Sequence, residues 1–303
     1  MLYTHICQSI GNTPLIELKN IQIANANRIL AKCEFFNPAG SVKDRIGLYA
    51  LEKLLEEKII HKKSIIVSAS AGNTGLGLAL ACVKYDLKTL LFIPNKFSLQ
   101  KQLLIKALGA SIVNTQGGMQ EAMKLAKDFA KNEKNAFYFD QFESLYNPET
   151  HYKNTARELY EDANGEIDLF VSGAGSGGVF SGVSRFLKEK NPAIKCILCD
   201  PCESIIGGNP YGESHIEGIG NTFIPETMDT SLIDEVIKMQ DEQAYNGVKI
   251  LAKQEGILAG ISSGACLSAC LKLAEKVQSK TIVTIFADGL ERYLDREELI
   301  KDF

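Results

Sequence analysis

The chain has no long hydrophobic run. Its apolar stretches are short, such as Leu78–Val83 and Ile282–Val283, against the roughly 18 residues a bilayer span needs, so no membrane partner is expected. It lacks a basic segment leading into an apolar one at its start, and no secretory signal is expected. Neither charge is in excess. With 33 basic and 37 acidic residues the net charge is −4, which gives no electrostatic case for a nucleic-acid partner. Internal repeats and low-complexity segments are absent. Eight cysteines in 303 residues do not make a disulfide framework, so a reducing, cytoplasmic location is expected. What is present is ordinary globular composition, 45% hydrophobic and 23% charged. The length suggests about two domains, large enough to bury cores without metal or disulfide staples.

Apolar runs of strand length alternate with helical patterns. Ile65–Val67 precedes a helix over 74–84, Thr89–Ile93 one over 98–108, and Ala110–Val113 one over 120–131. Leu169–Val171 precedes a helix over 178–190, Ile194–Leu198 reads as a further strand, and Thr281–Phe286 closes the series. Strands separated by helices imply βαβ units, hence an α/β fold of parallel sheets covered on both faces. Residues 201–229 are rich in Gly, Pro, Asn and Glu without periodicity, and a loop of that length reads as functional, a candidate lid.

Five segments carry potential chemistry. In Asn37-Pro-Ala-Gly-Ser-Val-Lys-Asp-Arg45 a Pro/Gly turn feeds a helix with Ser41 as the expected N-cap. Lys43 then falls in the first turn, where the helix dipole disfavours a cation. One reading is a solvated surface lysine. The other is a lysine of lowered pKa, a nucleophilic amine able to form a Schiff base. Ser68-Ala-Ser-Ala-Gly-Asn-Thr-Gly75 turns from a strand into a helix and presents small residues at a helix N-terminus, either an ordinary βα turn or a site for a phosphate or carboxylate. Gly173-Ala-Gly-Ser-Gly-Gly178 matches G-x-G-x-x-G after a strand and before a helix, and Asp200 closes the next strand. That satisfies a dinucleotide fingerprint as well as a monophosphate cradle. A nicotinamide-dependent oxidoreductase is therefore the competing reading, although it leaves the Lys43 and Asn73 segments without a role. Gly260-Ile-Ser-Ser-Gly-Ala265 opens another helix, for which Ser262 or Ser263 could serve as a cap. His215-Ile-Glu-Gly-Ile-Gly220 lies in the long loop.

Taken in order, from Gly11-Asn-Thr-Pro-Leu15 to Glu291-Arg-Tyr-Leu294, these segments resemble the cysteine synthase and cystathionine β-synthase family, pyridoxal-phosphate (PLP) enzymes of fold-type II. No added regulatory or haem-binding segment is visible. The resemblance implies two parallel-sheet α/β domains. A smaller, mobile domain would span 40–145, and a larger, cofactor-holding one 1–39 plus 146–303. It implies pyridoxal 5′-phosphate as cofactor, with Lys43 as Schiff-base lysine and general base. Asn73 would bond the ring oxygen, Gly173, Gly175, Ser176 and Gly177 would cradle the phosphate, and Ser262 would face the pyridine nitrogen. The substrate-facing set is Ser70, Ala71, Asn73, Thr74, Gln141, Glu217 and Gly218. The implied reaction is β-replacement on a serine-type amino acid, O-acetylserine plus sulfide giving cysteine. The same chemistry could use an amino-acid thiol, or run on cysteine and release hydrogen sulfide. The implied partners are a small amino-acid substrate, a thiol or sulfide, a second copy in a homodimer, and serine acetyltransferase.

Departures from the family pattern bear on substrate choice. Ala71 replaces a hydroxyl-bearing residue, Val179 stands where a threonine is usual, and Ala287-Asp-Gly-Leu290 replaces a serine-rich segment, which places Asp288 near the pyridine side. Glu217 stands where cysteine synthases carry glutamine, and its carboxylate would suit the ammonium of a second amino acid. Cys196-x-x-Cys199-x-x-Cys202 has metal-like spacing, but strand geometry sends Cys196 and Cys199 to opposite faces. Cys266 and Cys270 read as helix packing.

Overall fold

The computed structural model describes residues 2–70, 72–95, 99–210, 212–301 and 303. In chain order the first part runs β1 (Leu15–Glu17), β2 (Arg28–Cys33), α1 (Lys43–Glu56), β3 (Ile65–Ala69), α2 (Asn73–Tyr85), β4 (Lys88–Pro94), α3 (Leu99–Ala107), β5 (Ser111–Thr115), α4 (Met119–Asn132) and β6 (Ala136–Tyr138). The second part runs α5 (Tyr146–Thr150), α6 (Ala156–Asp162), β7 (Leu169–Gly173), α7 (Gly178–Lys190), β8 (Lys195–Pro201), β9 (Glu235–Met239), α8 (Asp241–Ile250), α9 (Ile261–Ala274), β10 (Thr281–Phe286) and α10 (Glu297–Ile300). No helix of the described residues is long and apolar enough to cross a membrane.

The chain forms two units, Met1–Ile10 with Asn37–Tyr146, and Gly11–Phe36 with Asn147–Phe303. The first ten residues, expected with the larger unit, thus belong to the smaller. There the buried Cys7 thiol lies 3.8 Å from the Leu80 carbonyl.

The smaller unit is built on a four-stranded parallel sheet of order β5-β4-β3-β6. Period-2 alternation splits β3 between two cores: Ile66 packs with residues of α1 and α2, while Val67 and Ala69 pack with Ala122 and Ala126 of α4. The larger unit is a six-stranded sheet of order β1-β2-β10-β7-β8-β9, parallel except for β1. Ile197, Cys199, Ile282 and Phe286 face a core with α8 and α9. Cys196, Leu198, Val283 and Ile285 face one with α6 and α7. Both faces are covered, which is why β7, β8 and β10 read as continuous apolar runs.

Four strands escaped the sequence reading. The first and third, β1 and β6, have three residues each. The edge strand β9 alternates Glu and Lys with apolar residues and is only half buried. The centre of β2 holds Lys32, which is fully buried: its ammonium bonds the Thr13 carbonyl at 2.7 Å, Asp162 at 2.7 Å and Glu158 at 3.1 Å. A strand with a lysine inside does not look like a core strand until its carboxylate partners, more than a hundred residues on, are known.

Candidate active site

In open α/β sheets ligands bind beyond the carboxyl ends of strands where the order reverses. In the smaller unit β3 leads to β4 and β5 on one side, while β6 lies on the other. The reversal therefore falls between β3 and β6. The segment after β3 carries Ser70, Asn73 and Thr74, and the segment after β6 carries Gln141. The Thr74 hydroxyl donates to the Gln141 side-chain carbonyl at 2.7 Å, and the Ser70 hydroxyl accepts from the Gly75 amide at 3.1 Å. Ser70 and Thr74 are buried. The structure thus brings these expected substrate-facing residues together. Ala71 lies outside the described residues.

Asn73 is the first residue of α2, behind an N-cap glycine, Gly72, that offers no side-chain cap. Lys43 is likewise the first residue of α1, one place after Val42. Ser41 is therefore not the N-cap, contrary to expectation, yet its hydroxyl still accepts from the Lys43 amide at 3.2 Å. The turn before it is tight. Gly40, at φ +82°, donates to the Asn37 carbonyl at 2.7 Å, and the buried Asp44 carboxylate accepts from the Ala39 amide at 2.6 Å. The helices α1 and α2 cross on two glycines. A methyl at Gly77 would stand 2.5 Å from the Lys43 carbonyl oxygen, and one at Gly47 would stand 2.3 Å from the Gly77 carbonyl oxygen. Only glycine allows this approach, and it sets the backbone of Lys43 one turn from Asn73.

In the larger unit β7 leads to β8 and β9, and β10 lies on its other side. The reversal falls between β7 and β10, whose ends carry Gly173–Gly178 and Asp288. Gly177 is the N-cap of α7, at φ +83°, with no side-chain cap. The Gly173–Gly178 loop is closely wrapped. A methyl at Gly175 would stand 2.3 Å from the Gly218 carbonyl oxygen, at Gly173 2.3 Å from Ile219 and at Gly178 1.9 Å from the Asn147 side chain. Its carbonyls are turned to internal donors. Ala174 O accepts from the Gly220 amide at 2.8 Å, Gly175 O from the Asn221 side chain at 3.3 Å, and Ser176 O from the Thr227 hydroxyl. The Ser176 hydroxyl accepts from Asn147 at 2.9 Å. Carbonyl oxygens that would repel an anion are thereby held by protein donors, and the uncapped start of α7 favours negative charge.

Much of the 201–229 segment, expected as a lid, is thus the clamp of this loop. Sequence reasoning missed Asn147, Asn221 and Thr227, because no local pattern marks residues that act on a loop tens of positions away.

Ser262 is buried in the first turn of α9 behind the N-cap Gly260, so neither Ser262 nor Ser263 is the cap. A methyl at Gly218, itself at φ +93°, would stand 3.8 Å from the Ser262 hydroxyl. Asp288 is buried at the same helix start. Its backbone carbonyl accepts from the Gly260 amide at 2.9 Å, and its carboxylate accepts from the Tyr293 hydroxyl at 2.6 Å. Burial, then the Asp288 charge, pushes the Tyr293 phenol up, so it remains a donor. Glu217 is ion-paired with Arg296. His215 is exposed, and a hydrogen bond to Asp241 raises its pKa.

Asp200, the ribose ligand of a dinucleotide reading, is fully buried, bonded to Lys238 at 2.8 Å and to the Gly207 amide at 2.9 Å. Its carboxylate is engaged inside the protein, which removes the support for that reading. Cys196 and Cys199 do face opposite cores.

The residues of each unit suit part of an aldehyde cofactor with a phosphate tail: the smaller unit has a lysine at a helix start, and the larger a glycine loop in which any side chain would clash, ahead of a helix start with no side-chain cap. The sequence profile of the family described as pyridoxal-phosphate dependent enzyme matches residues 6–288. The chain belongs to this family, and its cofactor is pyridoxal 5′-phosphate. It is 44% identical over 298 residues to the O-acetylserine dependent cystathionine β-synthase of Bacillus subtilis, covering 97% of each chain. It is 39% identical over 301 residues to a cysteine synthase of Helicobacter pylori, covering 98% of each. The crystal structure of a hydrogen sulfide-producing enzyme from Fusobacterium nucleatum superposes with a TM-score of 0.94 at 37% identity, covering 97% of this chain and 99% of that one. The fold is that of the fold-type II enzymes, and the chain is an enzyme of the cysteine synthase and cystathionine β-synthase kind.

Proposed function

We propose that this enzyme catalyses β-replacement on O-acetylserine, exchanging acetate for a sulfur nucleophile, with sulfide giving cysteine. The observation that carries this is that each unit, taken by itself, has at its strand-order reversal a helix start with no side-chain cap. The α2 start, with Ser70, Thr74 and Gln141 around it, takes an amino-acid carboxylate, and the wrapped loop before α7 takes the cofactor phosphate. Its similarity to relatives named cysteine synthase and O-acetylserine dependent cystathionine β-synthase supports the same reading.

When bound, the cofactor supplies an electron sink for the substrate's Cα. Lys43 Nζ would hold the cofactor's aldehyde group, and as a free amine it would be the base that takes the substrate's Cα proton. Gly173, Gly175, Ser176 and Gly177 would hold the phosphate, Asn73 the ring oxygen, and Ser262 would face the pyridine nitrogen. A hydroxyl there, unlike a carboxylate, would not hold that nitrogen protonated, which would keep the sink moderate and favour loss of the β-substituent.

A second nucleophile is favoured by one residue. Glu217 adjoins Gly218, next to Ser262, and a carboxylate there suits the ammonium of an amino-acid thiol. The enzyme would then form a thioether, or act on cysteine with release of hydrogen sulfide. We also propose that it acts as a homodimer in the cytoplasm and binds serine acetyltransferase. Light scattering and a titration with that enzyme test the two associations.

The test of function is direct. The purified protein is expected to be yellow, and borohydride is expected to fix the cofactor on the peptide containing Lys43. With O-acetylserine and sulfide it is expected to form cysteine, and Lys43→Ala to abolish this. A colourless protein that resists cofactor loading, or no product with sulfide or with any thiol, refutes the reading.

A further inference from the structure

We propose that Arg296 and Glu217 together recognise an amino-acid nucleophile as a zwitterion, Arg296 taking its carboxylate and Glu217 its ammonium. This rests on the β-replacement reading and names the acceptor class for it. The two residues lie 79 positions apart in sequence, yet the Arg296 guanidinium donates directly to the Glu217 carboxylate. Glu217 immediately precedes Gly218, whose backbone runs beside Ser262 at the start of α9. Arg296 is the N-cap residue of α10 and offers that helix no side-chain cap. Its side chain serves the loop carboxylate instead.

Exposure decides whether a ligand can reach the pair. The Glu217 side chain is 32% exposed and that of Arg296 47%. An ion pair this wet contributes little by itself, because water screens it and two long side chains must be ordered. Opening it therefore costs little. An amino acid carries ammonium and carboxylate on one carbon, so it can insert between the partners and restore a charge contact to each. The guanidinium fork matches a carboxylate in two parallel bonds, which gives the ligand a direction. Sulfide has neither group and gains nothing. Asp295 acts on Arg296, and Asp241 and Glu298 act on Tyr245, so a ligand carboxylate reaches the guanidinium against some local negative charge. Burial, then Asp241 and Glu298, pushes the Tyr245 phenol up and keeps it neutral.

The experiment uses the holoenzyme with O-acetylserine and four acceptors: homocysteine, which carries both groups; cysteamine, which has only the ammonium; 3-mercaptopropionate, which has only the carboxylate; and sulfide as reference. Arg296→Gln is expected to lower kcat/KM for homocysteine and 3-mercaptopropionate, relative to sulfide, by about five- to tenfold. The cysteamine-to-sulfide ratio should hold within about twofold. Glu217→Gln is expected to give the mirror pattern, with losses for homocysteine and cysteamine. Arg296→Lys should restore part of the loss. An equal fall for all thiols and sulfide would mark Arg296 as structural and overturn the proposal, as would an unchanged homocysteine-to-sulfide ratio. A wild-type enzyme that makes cysteine from sulfide but no thioether from homocysteine also overturns it, while leaving the β-replacement reading standing. Failure with sulfide and every thiol removes that reading itself.

Discussion

Replacing Gly77 by alanine tests whether the glycine crossing of α1 and α2 is what positions Lys43. The added methyl would lie 2.5 Å from the Lys43 carbonyl oxygen, 2.8 Å from its carbonyl carbon and 3.1 Å from the Asp44 amide nitrogen. All three are backbone atoms at the start of a helix, so no side chain can rotate away. Relief requires the helices to part by somewhat under about 1 Å, and overpacking of this kind costs about 1–3 kcal/mol. Against it stands the helix propensity of alanine, better than glycine by about 1 kcal/mol. The clash wins, because it is met by rigid atoms from one side at once. The net loss is up to about 2 kcal/mol, which lowers Tm by up to about 8 °C for a unit of this size. Gly118→Ala is the control, since the same methyl there meets nothing within 4 Å. Calorimetry of the cofactor-free protein gives the stability. Cofactor titration followed by the visible band gives the placement of Lys43, and affinity is expected to fall about tenfold. If Gly77→Ala melts like Gly118→Ala and loads cofactor normally, the close crossing does not fix the lysine.

Asn147→Ala removes the donor that orients the Ser176 hydroxyl, and Thr227→Val removes the one that holds the Ser176 carbonyl. A lost buried hydrogen bond of this type costs about 1–3 kcal/mol, so each should speed cofactor loss at least about fivefold on dialysis, read by absorbance. Lys32→Ala strands two carboxylates around a void and should destabilise by about 2–4 kcal/mol in urea unfolding, at the lower end because Asp162 is 44% exposed. Lys32→Met fills the space and should lose less. His215 should titrate by NMR above its ordinary value of 6.5, because of its bond to Asp241, and Asp241→Asn should bring it down. The sign follows: the contact is fully present below the ordinary histidine pKa and is lost as pH rises through the raised one. Hydrogen exchange over 213–217, corrected for intrinsic rate, should therefore quicken as pH rises beyond the ordinary histidine value.

Strand and helix alternation was legible because core strands such as β10, buried at all six positions, must be apolar on both faces. The start of α1 was legible within a residue or two, because Pro38, Gly40 and Ser41 act through local geometry. Legibility stopped where the cause is distant. β2 was hidden by Lys32, whose partners Glu158 and Asp162 lie on α6. The crossing of α1 and α2 depends on the juxtaposition of Gly47 and Gly77, which no spacing rule announces. The hold that 201–229 has on the loop before α7 was hidden for the same reason. A stretch without periodicity looks loose, but its donors at Gly220, Asn221 and Thr227 bond carbonyls in a loop about 50 residues earlier.

The helix starts carry one further argument. A side-chain N-cap is worth about 1 kcal/mol, and α2, α7 and α9 each have glycine at that position with no side-chain cap. They are not equivalent. At α9 the protein supplies its own anion: a methyl at Gly260 would stand 2.1 Å from an Asp288 carboxylate oxygen, so that carboxylate is pressed against the helix start. At α2 and α7 the neighbours include hydroxyl and amide groups, Ser70 and Thr74 in one case and Ser176 with Asn147 in the other. Two positive helix ends face uncharged polar groups and one is neutralised from within. An amino-acid carboxylate and a cofactor phosphate are two anions. The pyridine nitrogen assigned to Ser262 on α9 is not one, and an internal carboxylate at that third helix start keeps it from attracting an anion in the nitrogen's place.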